Sequence, residues 1–165
     1  MNEKTAYTHK YASPLGDMLI AANGESVTGL WFYGARHFAA GLDENAREGC
    51  PQVIKDTVRW LDIYFSGAQP DFMPSVELHG TEFCRAVWAE LMKIPRGETR
   101  SYGDVAKRLG VNSAQAVGAA VGRNPVCIIV PCHRVVGANG SLVGYAAGLY
   151  KKERLLALEG GIKNV

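Results

Sequence analysis

A cysteine and a histidine stand side by side in the stretch IVPCHRVVG, residues 129–137. A free thiol has a pKa of roughly 8.5, so at neutral pH it needs a lowered pKa or a general base before it can act as a nucleophile. His133 directly follows Cys132, and Arg134 adds positive charge. Adjacent side chains of a strand point to opposite faces, so the two residues can cooperate only on a turn or through a water. Pro131 and the glycines that follow favour such a turn.

The four cysteines of the chain include no CxxC pair, so neither a disulfide framework nor a metal site is predicted. Cysteine is among the most buried residue types, and a cysteine after an apolar run is commonly part of the core. We adopt that interpretation for Cys84 and Cys127, and we expect Cys50 to be an exposed, inert thiol. For Cys132, the neighbouring histidine and arginine make two interpretations about equally well supported, a reactive nucleophile and a buried core residue.

Four further polar residues stand at the ends of predicted helices or in the loops between them. Tyrosines are usually packing residues, a glutamate at a helix end is usually solvated, and an asparagine before a proline often caps a turn. These residue types by themselves therefore select no function. The four are Tyr102, Asn124, Tyr145 and Glu159.

Composition indicates a compact protein with an uneven charge distribution. Of the 165 residues, 47% are hydrophobic and 21% are charged, which suits one domain or two small lobes. No apolar run approaches the roughly 18 residues of a membrane helix, and the N-terminus lacks the apolar core of a signal peptide. We therefore expect cytoplasmic residence and no membrane partner. Residues 1–80 carry net charge −4 and residues 81–165 carry +6, which suits a polyanionic partner but equally a solvated basic surface.

The first third of the sequence predicts a β-meander followed by one helix. Apolar and polar residues alternate in TAYTHKYA, MLIAA and VTGLWFYG, with turns between them. From Pro51 the apolar period changes to three or four, which predicts a helix that ends at Ser66-Gly67. The stretch GAQPDFMPSVELHG favours a connecting segment, so we predict lobes of residues 1–75 and 76–165. The expected apolar stripe of the helix is Ile54, Val58, Leu61 and Phe65.

The second lobe is predicted to be mainly helical. Thr81 is a suitable N-cap for a helix that ends before Ile94-Pro95. A final helix is predicted from about Leu149 to the double glycine Gly160-Gly161. The lobe therefore has a helix at each end and a glycine-rich segment between them.

Residues 101–122 predict a helix-turn-helix. Ser101 and Asp104 have capping-box spacing, Gly110 ends the first helix, and Ser113 begins the second, AQAVGAAVG. The second helix has almost no large side chains, which allows a close approach to another surface. Packing within the lobe explains this helix if it is taken alone. Together with the helix-turn-helix spacing and the basic half of the chain, nucleic-acid binding becomes the favoured interpretation.

The motif PCHRV, preceded by SYGDVA and GRNP and followed by GYAAG and KKERLLALEG, resembles that of the O6-alkylguanine-DNA alkyltransferases. The resemblance covers essentially all of residues 76–165, and the N-terminal half matches more loosely in its strand-then-helix order. It implies an α/β fold with a small N-terminal lobe, built of an antiparallel sheet plus a helix. A mainly helical C-terminal lobe with a winged-helix-like helix-turn-helix would follow.

The resemblance also implies direct DNA repair. Cys132 would accept the alkyl group of O6-alkylguanine, and also of O4-alkylthymine, irreversibly, so that each protein molecule is consumed. No cofactor and no metal are implied, because the lesion itself donates the alkyl group. The expected partner is double-stranded DNA, bound through its minor groove by a monomer, with the damaged nucleotide flipped out of the stack.

The resemblance assigns each site residue a role. His133 would take the thiol proton through a water, and Glu159 would stabilise the resulting imidazolium. Tyr102 would donate to the leaving purine, and Asn124 would fix the turn that bears Cys132. The base pocket would be lined by Val135, Val136, Tyr145, Ala146 and Ala147. DNA would be contacted by Tyr102, Ser113, Ala114, Gln115, Ala116, Gly118 and Arg123.

Two positions depart from the family pattern. Most members carry an arginine in the second helix of the pair, which fills the gap left by the flipped base, and here that position is Gln115. A proline or another small residue is common where this chain has Cys127, for which we have no functional interpretation.

Three other functions compete with alkyl transfer. A catalytically inactive lesion sensor would lack the acceptor cysteine, which this chain retains. A helix-turn-helix regulator of this type would carry an additional metal domain, for which 165 residues leave no room. A cysteine hydrolase would need a water step that allows turnover.

Overall fold

The computed structural model describes residues 5–160, and the chain divides into two compact units between His79 and Gly80. Within the described residues, the first unit is a mainly antiparallel sheet with one helix, and the second is mainly helical with a helix-turn-helix. This is the mixed α/β architecture expected from the sequence. None of the helices within residues 5–160 is long and apolar enough to span a bilayer.

The first unit is built on a β-meander, as predicted. Strands β1 (Tyr7–Ser13), β2 (Gly16–Ala22) and β3 (Val27–Phe32) pair antiparallel in the order β3-β2-β1. A short strand, β4 (Arg47–Glu48), adds to the free edge of β1 in parallel. The sequence did not predict β4, because two exposed residues carry no alternation of apolar and polar side chains.

Helix α1 (Gln52–Phe65) follows Pro51 and ends at Ser66 as predicted, but its buried stripe differs from the expected one. Val58 and Phe65 are only half-buried. The rings of Trp60 and Tyr64 are buried instead, stacked with centroids 5.4 Å apart. Two neighbouring stripes of this helix are apolar, and burial of the larger aromatic surfaces decides between them. The buried residues are Val53, Ile54, Thr57, Trp60, Leu61 and Tyr64.

Between residues 80 and 160, the second unit contains four α-helices and one pair of short strands. The helices are α2 (Glu82–Leu91), α3 (Tyr102–Leu109), α4 (Ala114–Gly122) and α5 (Leu149–Leu158). Strands β5 (Arg100–Ser101) and β6 (Val135–Val136) pair in parallel. The predicted end of the last helix is confirmed as far as Gly160, and Gly161 lies outside the described residues.

Local side-chain caps begin each helix of the helix-turn-helix. Ser101 Oγ accepts a hydrogen bond from the Asp104 amide at 3.0 Å, and the Asp104 carboxylate accepts one from the Ser101 amide. Gly110 ends α3 with φ +70°, and Ser113 Oγ caps α4 by accepting from the Ala116 amide. The helix-turn-helix is thus encoded by residues three positions apart in the sequence.

Helix α4 presents small side chains on its exposed face. Its other face packs in the unit, where Val117 is fully buried and the Ala120 carbonyl accepts a hydrogen bond from Trp88 Nε1 at 2.9 Å. The exposed residues at its start and along its length are Ser113, Ala114, Gln115, Ala116 and Ala119.

Candidate active site

Asn124 braces the segment that leads to the thiol. Its side-chain oxygen accepts a hydrogen bond from the Val126 amide at 3.0 Å, and its Nδ2 donates to the Val130 carbonyl at 2.8 Å. The side chain therefore spans the turn between these two residues. Asn124 is itself buried. Removal of its side-chain amide would leave the Val126 amide and the Val130 carbonyl without these hydrogen bonds.

Ile128, within the braced turn, has φ +70°. A β-branched residue in the left-handed region costs on the order of 1–3 kcal/mol, and such residues often occur at functional sites. Backbone hydrogen bonds from Ile129 to Cys127 and from Val130 to Val126 hold the conformation. Sequence patterns cannot locate this residue, because isoleucine is not expected at positive φ.

Cys132 begins a short 3₁₀ turn, Cys132–Arg134, and its side chain is buried, with 6% of its surface exposed. Burial raises the pKa of the thiol above its usual value. Hydrogen bonds from Asn124 and Tyr145 and the charge of Lys152 act in the opposite direction. The thiol is therefore protonated at rest, and a base must remove the proton before it can act as a nucleophile.

The other three cysteines have no comparable surroundings. Cys50 is exposed as expected, whereas Cys84 and Cys127 are half-buried, so the expectation that both are core residues is wrong. Cys84 lies in the first turn of α2, and Cys127 lies in the irregular segment between α4 and Cys132. No cluster of three or more potential metal ligands occurs among residues 5–160.

His133 and Glu159 form a buried pair. His133 Nε2 lies 2.6 Å from Glu159 Oε2, and neither side chain is exposed to solvent. An ionised carboxylate can only accept a hydrogen bond, so Nε2 carries the proton and Nδ1 of the neutral ring is the acceptor. Nδ1 is buried and has no hydrogen-bond partner within residues 5–160.

Arg134 contacts the same carboxylate. Its Nε donates to Glu159 Oε1 at 2.8 Å, and its Nη1 donates to the Ile94 carbonyl at 2.7 Å. Burial would raise the pKa of Glu159, but the hydrogen bonds and charges of His133 and Arg134 outweigh it and hold that pKa far below its usual value. Burial lowers the pKa of His133, and the bond to Glu159 only partly opposes this effect. At neutral pH the pair is therefore an anionic carboxylate and a neutral imidazole.

We expect the free energy of unfolding to fall as the pH drops from about 6.5 to below 4.5, the usual pKa values of the two groups. The pKa values of His133 and Glu159 are both lowered by folding, so the unfolded chain binds each proton first and acid favours it. Urea unfolding at about pH 7.5 and 5.5 measures the first part of the loss. His133→Gln should lose less stability over this interval than the native protein, and an equal or larger loss would contradict the assignment.

Tyr102 and Lys152 meet at one loop carbonyl. Tyr102 Oη donates to the Val143 carbonyl at 3.1 Å, and Lys152 Nζ donates to the same carbonyl at 3.1 Å and to that of Gly144 at 2.9 Å. Lys152 Nζ also lies 5.7 Å from the centroid of the Tyr102 ring. The two side chains therefore hold the segment around Val143 close to the start of α3.

Lys152 is a site residue that the sequence reasoning missed. Its side chain is fully buried, and burial lowers its pKa to about 8, while a negative charge at Cys132 acts against this shift. Its ammonium group in turn favours the thiolate form of Cys132. The signal in the sequence was the helical spacing of Lys152, Leu155 and Glu159 on one face of α5, where a lysine faces inward with a leucine.

The structure places two of the predicted base-pocket residues, Val135 and Val136, beside the start of α3. Pairing of β5 with β6 places Ser101 beside Val136, so the start of α3 adjoins the buried valines 135 and 136. A Cβ on Gly118 would lie 3.7 Å from the Tyr102 ring, and a Cβ on Gly144 would lie 3.7 Å from its hydroxyl. Tyr145, Ala146 and Ala147 are half-buried, and Arg123 is exposed after α4. Tyr102 therefore connects the second helix of the pair with the glycine-rich loop.

Comparisons with known proteins agree over both units. Residues 82–161 match the family described as 6-O-methylguanine DNA methyltransferase, DNA binding domain, and residues 6–78 match its ribonuclease-like domain. A methylated-DNA-protein-cysteine methyltransferase of Mycobacterium leprae is 43% identical over 89% of this chain and 88% of the relative. A methylated-DNA-protein-cysteine methyltransferase of Methanosarcina acetivorans is 42% identical over 91% of this chain and 96% of the relative.

A solved structure shares the fold as well. The crystal structure of Mycobacterium tuberculosis OGT in complex with DNA matches with a TM-score of 0.85 and 39% sequence identity. The match covers 93% of this chain and 92% of that chain. Family, sequence and structure agree along most of the described residues, and the chain belongs to the methylated-DNA-protein-cysteine methyltransferase family.

Proposed function

We propose that the protein repairs DNA by transferring the alkyl group of O6-alkylguanine to Sγ of Cys132, once per molecule. The observation that carries this proposal is the position of Cys132 directly before a buried histidine-carboxylate pair, in a chain of this family. None of the other three cysteines adjoins such a pair in the sequence. The lesion supplies the alkyl group, so the reaction requires no cofactor.

The proton leaves the thiol towards His133. Nδ1 is the acceptor of the neutral ring, and a bridging water would connect it to Sγ of Cys132. The anionic carboxylate of Glu159 stabilises the imidazolium that forms, as in other nucleophile-base-acid triads. Lys152 and the hydrogen bonds from Asn124 and Tyr145 stabilise the thiolate.

The thiolate then attacks the alkyl carbon in line with the bond to O6. The new S–C bond forms as the C–O bond breaks, and the bonding electrons pass to the purine. The Tyr102 hydroxyl, released from the Val143 carbonyl, donates to the leaving purine and offsets its charge. The product is a thioether that water does not cleave, so the protein is consumed.

DNA recognition is proposed for the second unit. The exposed small residues of α4 permit a close approach to the minor groove, and Ser113, Gln115 and Arg123 supply polar and charged contacts. The alkylated atom cannot be reached within a duplex, so the nucleotide must flip out, at a cost of a few kcal/mol that a mispaired lesion reduces. We propose that residues 76–165 form this DNA-binding and acceptor domain, that the protein acts as a monomer, and that O4-alkylthymine is a second substrate.

Intact-protein mass spectrometry tests the proposal. The full-length protein is incubated with a duplex oligonucleotide that carries one O6-methylguanine, and the modified residue is located by peptide mapping. We expect a gain of one methyl group per molecule, on the peptide that contains Cys132. Binding without a mass gain would indicate a lesion sensor or regulator, repeated turnover would indicate a hydrolase, and a methyl group on Cys127 would overturn the assignment of the acceptor.

Gln115→Arg is expected to speed repair of duplex DNA more than it speeds reaction with free O6-benzylguanine. Gln115 is exposed on α4, and a glutamine can hydrogen bond to the orphaned base but brings no charge into the gap. Single-turnover rates on the two substrates give the comparison. Equal acceleration of both reactions would show that the position does not act through nucleotide flipping.

A further inference from the structure

Arg134 shares the carboxylate of the proposed catalytic pair. His133 Nε2 lies 2.6 Å from Oε2 of Glu159, and Arg134 Nε donates to Oε1 of the same carboxylate at 2.8 Å. We infer that Arg134 is a positioning residue that keeps Glu159 anionic and His133 neutral, so that the histidine is ready to accept the thiol proton. This inference rests on the proposed function, and it adds a residue that positions the two groups of the proton-transfer step.

The guanidinium group is anchored at two points. Besides Nε on Glu159, its Nη1 donates to the Ile94 carbonyl at 2.7 Å, and only 13% of the side chain is exposed. The planar group can serve two acceptors in a fixed geometry, whereas a lysine offers a single charged nitrogen. Arg134 therefore fixes the orientation of the carboxylate as well as its charge.

The backbone that carries Glu159 is held by the loop after α2. Arg96 Nη2 donates to the Leu158 carbonyl at 3.3 Å. Gly97 has φ +84°, and a Cβ there would lie 3.3 Å from the Glu159 carbonyl oxygen. This loop and the Ile94 carbonyl thus position both the end of α5 and the arginine that meets its carboxylate.

The charges that face the pair explain why the arginine matters. The charges of Glu159, Arg134 and Lys152 act on His133, and those of His133 and Arg134 act on Glu159. The charges of Arg134 and Glu159 cancel, so a proton from solvent on His133 would add uncompensated positive charge to a buried site that already contains Lys152. Without the arginine, a protonated His133 would itself balance Glu159, and the pKa of the histidine would rise.

Proton transfer from the thiol differs from protonation by solvent. When the proton moves from Cys132 to His133, the net charge of the site is unchanged. Arg134 therefore opposes the protonation of His133 by solvent much more than it opposes proton transfer from Cys132 to His133. We therefore expect His133 to remain neutral, and able to act as a base, at lower pH than an ordinary histidine.

The test compares pH profiles of single-turnover methyl transfer from the O6-methylguanine duplex, between about pH 5 and 9. We expect the acid limb of Arg134→Gln to lie about 1 pH unit above that of the native protein. Arg134→Lys keeps the charge, so its acid limb should stay near the native one while its maximal rate falls, because the two-point anchor is lost. Arg85→Gln removes an exposed arginine of α2 and should leave both the limb and the rate unchanged.

If the acid limb of the pH profile of Arg134→Gln lies at the same pH as in the native protein, the inference is overturned, whatever the maximal rate of the variant. If that variant does not fold, a native maximal rate in Arg134→Lys overturns the positioning role. NMR titration of His133 in the native protein and in the variants gives a readout that requires no methyl transfer, and the pKa should rise in Arg134→Gln but not in Arg85→Gln. A native protein that gains no methyl group would refute the proposed function, whereas an unmoved histidine pKa would refute the role of Arg134.

Discussion

Cys132→Ser is expected to bind DNA that contains O6-methylguanine and to leave the lesion in place. The rate of methyl transfer should fall by more than about 10⁴-fold, because a serine hydroxyl ionises far less readily than a thiol and is a poorer nucleophile. Proton transfer to His133, whose pKa is lowered by burial, is much less favourable from a serine hydroxyl than from a thiol. The substitution is nearly isosteric, and it keeps an acceptor atom near Asn124 and Tyr145, the two side chains that act to lower the pKa of the thiol.

Intact mass and DNA binding are measured on the same sample of this variant. Cys84→Ser is the matched control, because Cys84 is half-buried in the same unit and should keep the native rate. Retained binding without a mass gain separates loss of chemistry from loss of folding. A methyl group on Cys132→Ser at a rate near that of the native protein would show that the acceptor lies elsewhere.

Glu159→Gln is expected to slow methyl transfer by about 10³-fold. The amide keeps the shape of the side chain but removes the charge that stabilises the imidazolium, and similar substitutions in other triads have effects of this order. Its NH₂ group would also face either Arg134 or Nε2 of His133, each of which is a donor. The histidine would lose both its orientation and its electrostatic partner.

The same substitution should destabilise the fold by about 3–5 kcal/mol, because it leaves a largely buried arginine without its counter-charge. Single-turnover kinetics and urea unfolding are measured on each variant, at a temperature where circular dichroism shows it to be folded. Glu153→Gln, on the same helix, serves as the control and should change neither quantity appreciably. A rate within a few-fold of the native protein in Glu159→Gln would remove the carboxylate from the mechanism.

Local features of this fold were predictable from the sequence alone. The caps at Ser101 and Ser113 join residues three positions apart, and the meander follows from alternation along single strands. Such features depend on short-range geometry, which residue order encodes directly. The stripe of α1 shows the limit of periodicity, since two apolar faces compete and the packing of Trp60 and Tyr64 decides between them.

The candidate site depended on two kinds of information. The stretch around Cys132 drew attention through residue type, but Tyr102, Asn124 and Glu159 were assigned only through the family resemblance. Contacts between residues far apart in the sequence then determined which groups lie next to these side chains. Arg134 meets a carboxylate 25 positions away, and it also binds the Ile94 carbonyl 40 positions before it in the sequence.

By itself, the sequence determined where the helices and the strands of the meander lie and which residue types can carry the chemistry, because caps, periodicity and thiol chemistry are local properties. Only the tertiary structure decided the charge state of the site. Burial raises the pKa of Cys132 and lowers that of His133, and the distances from Glu159 to its two partners decide which group holds the proton. Desolvation and Coulomb interactions depend on three-dimensional separation, which a linear pattern does not contain.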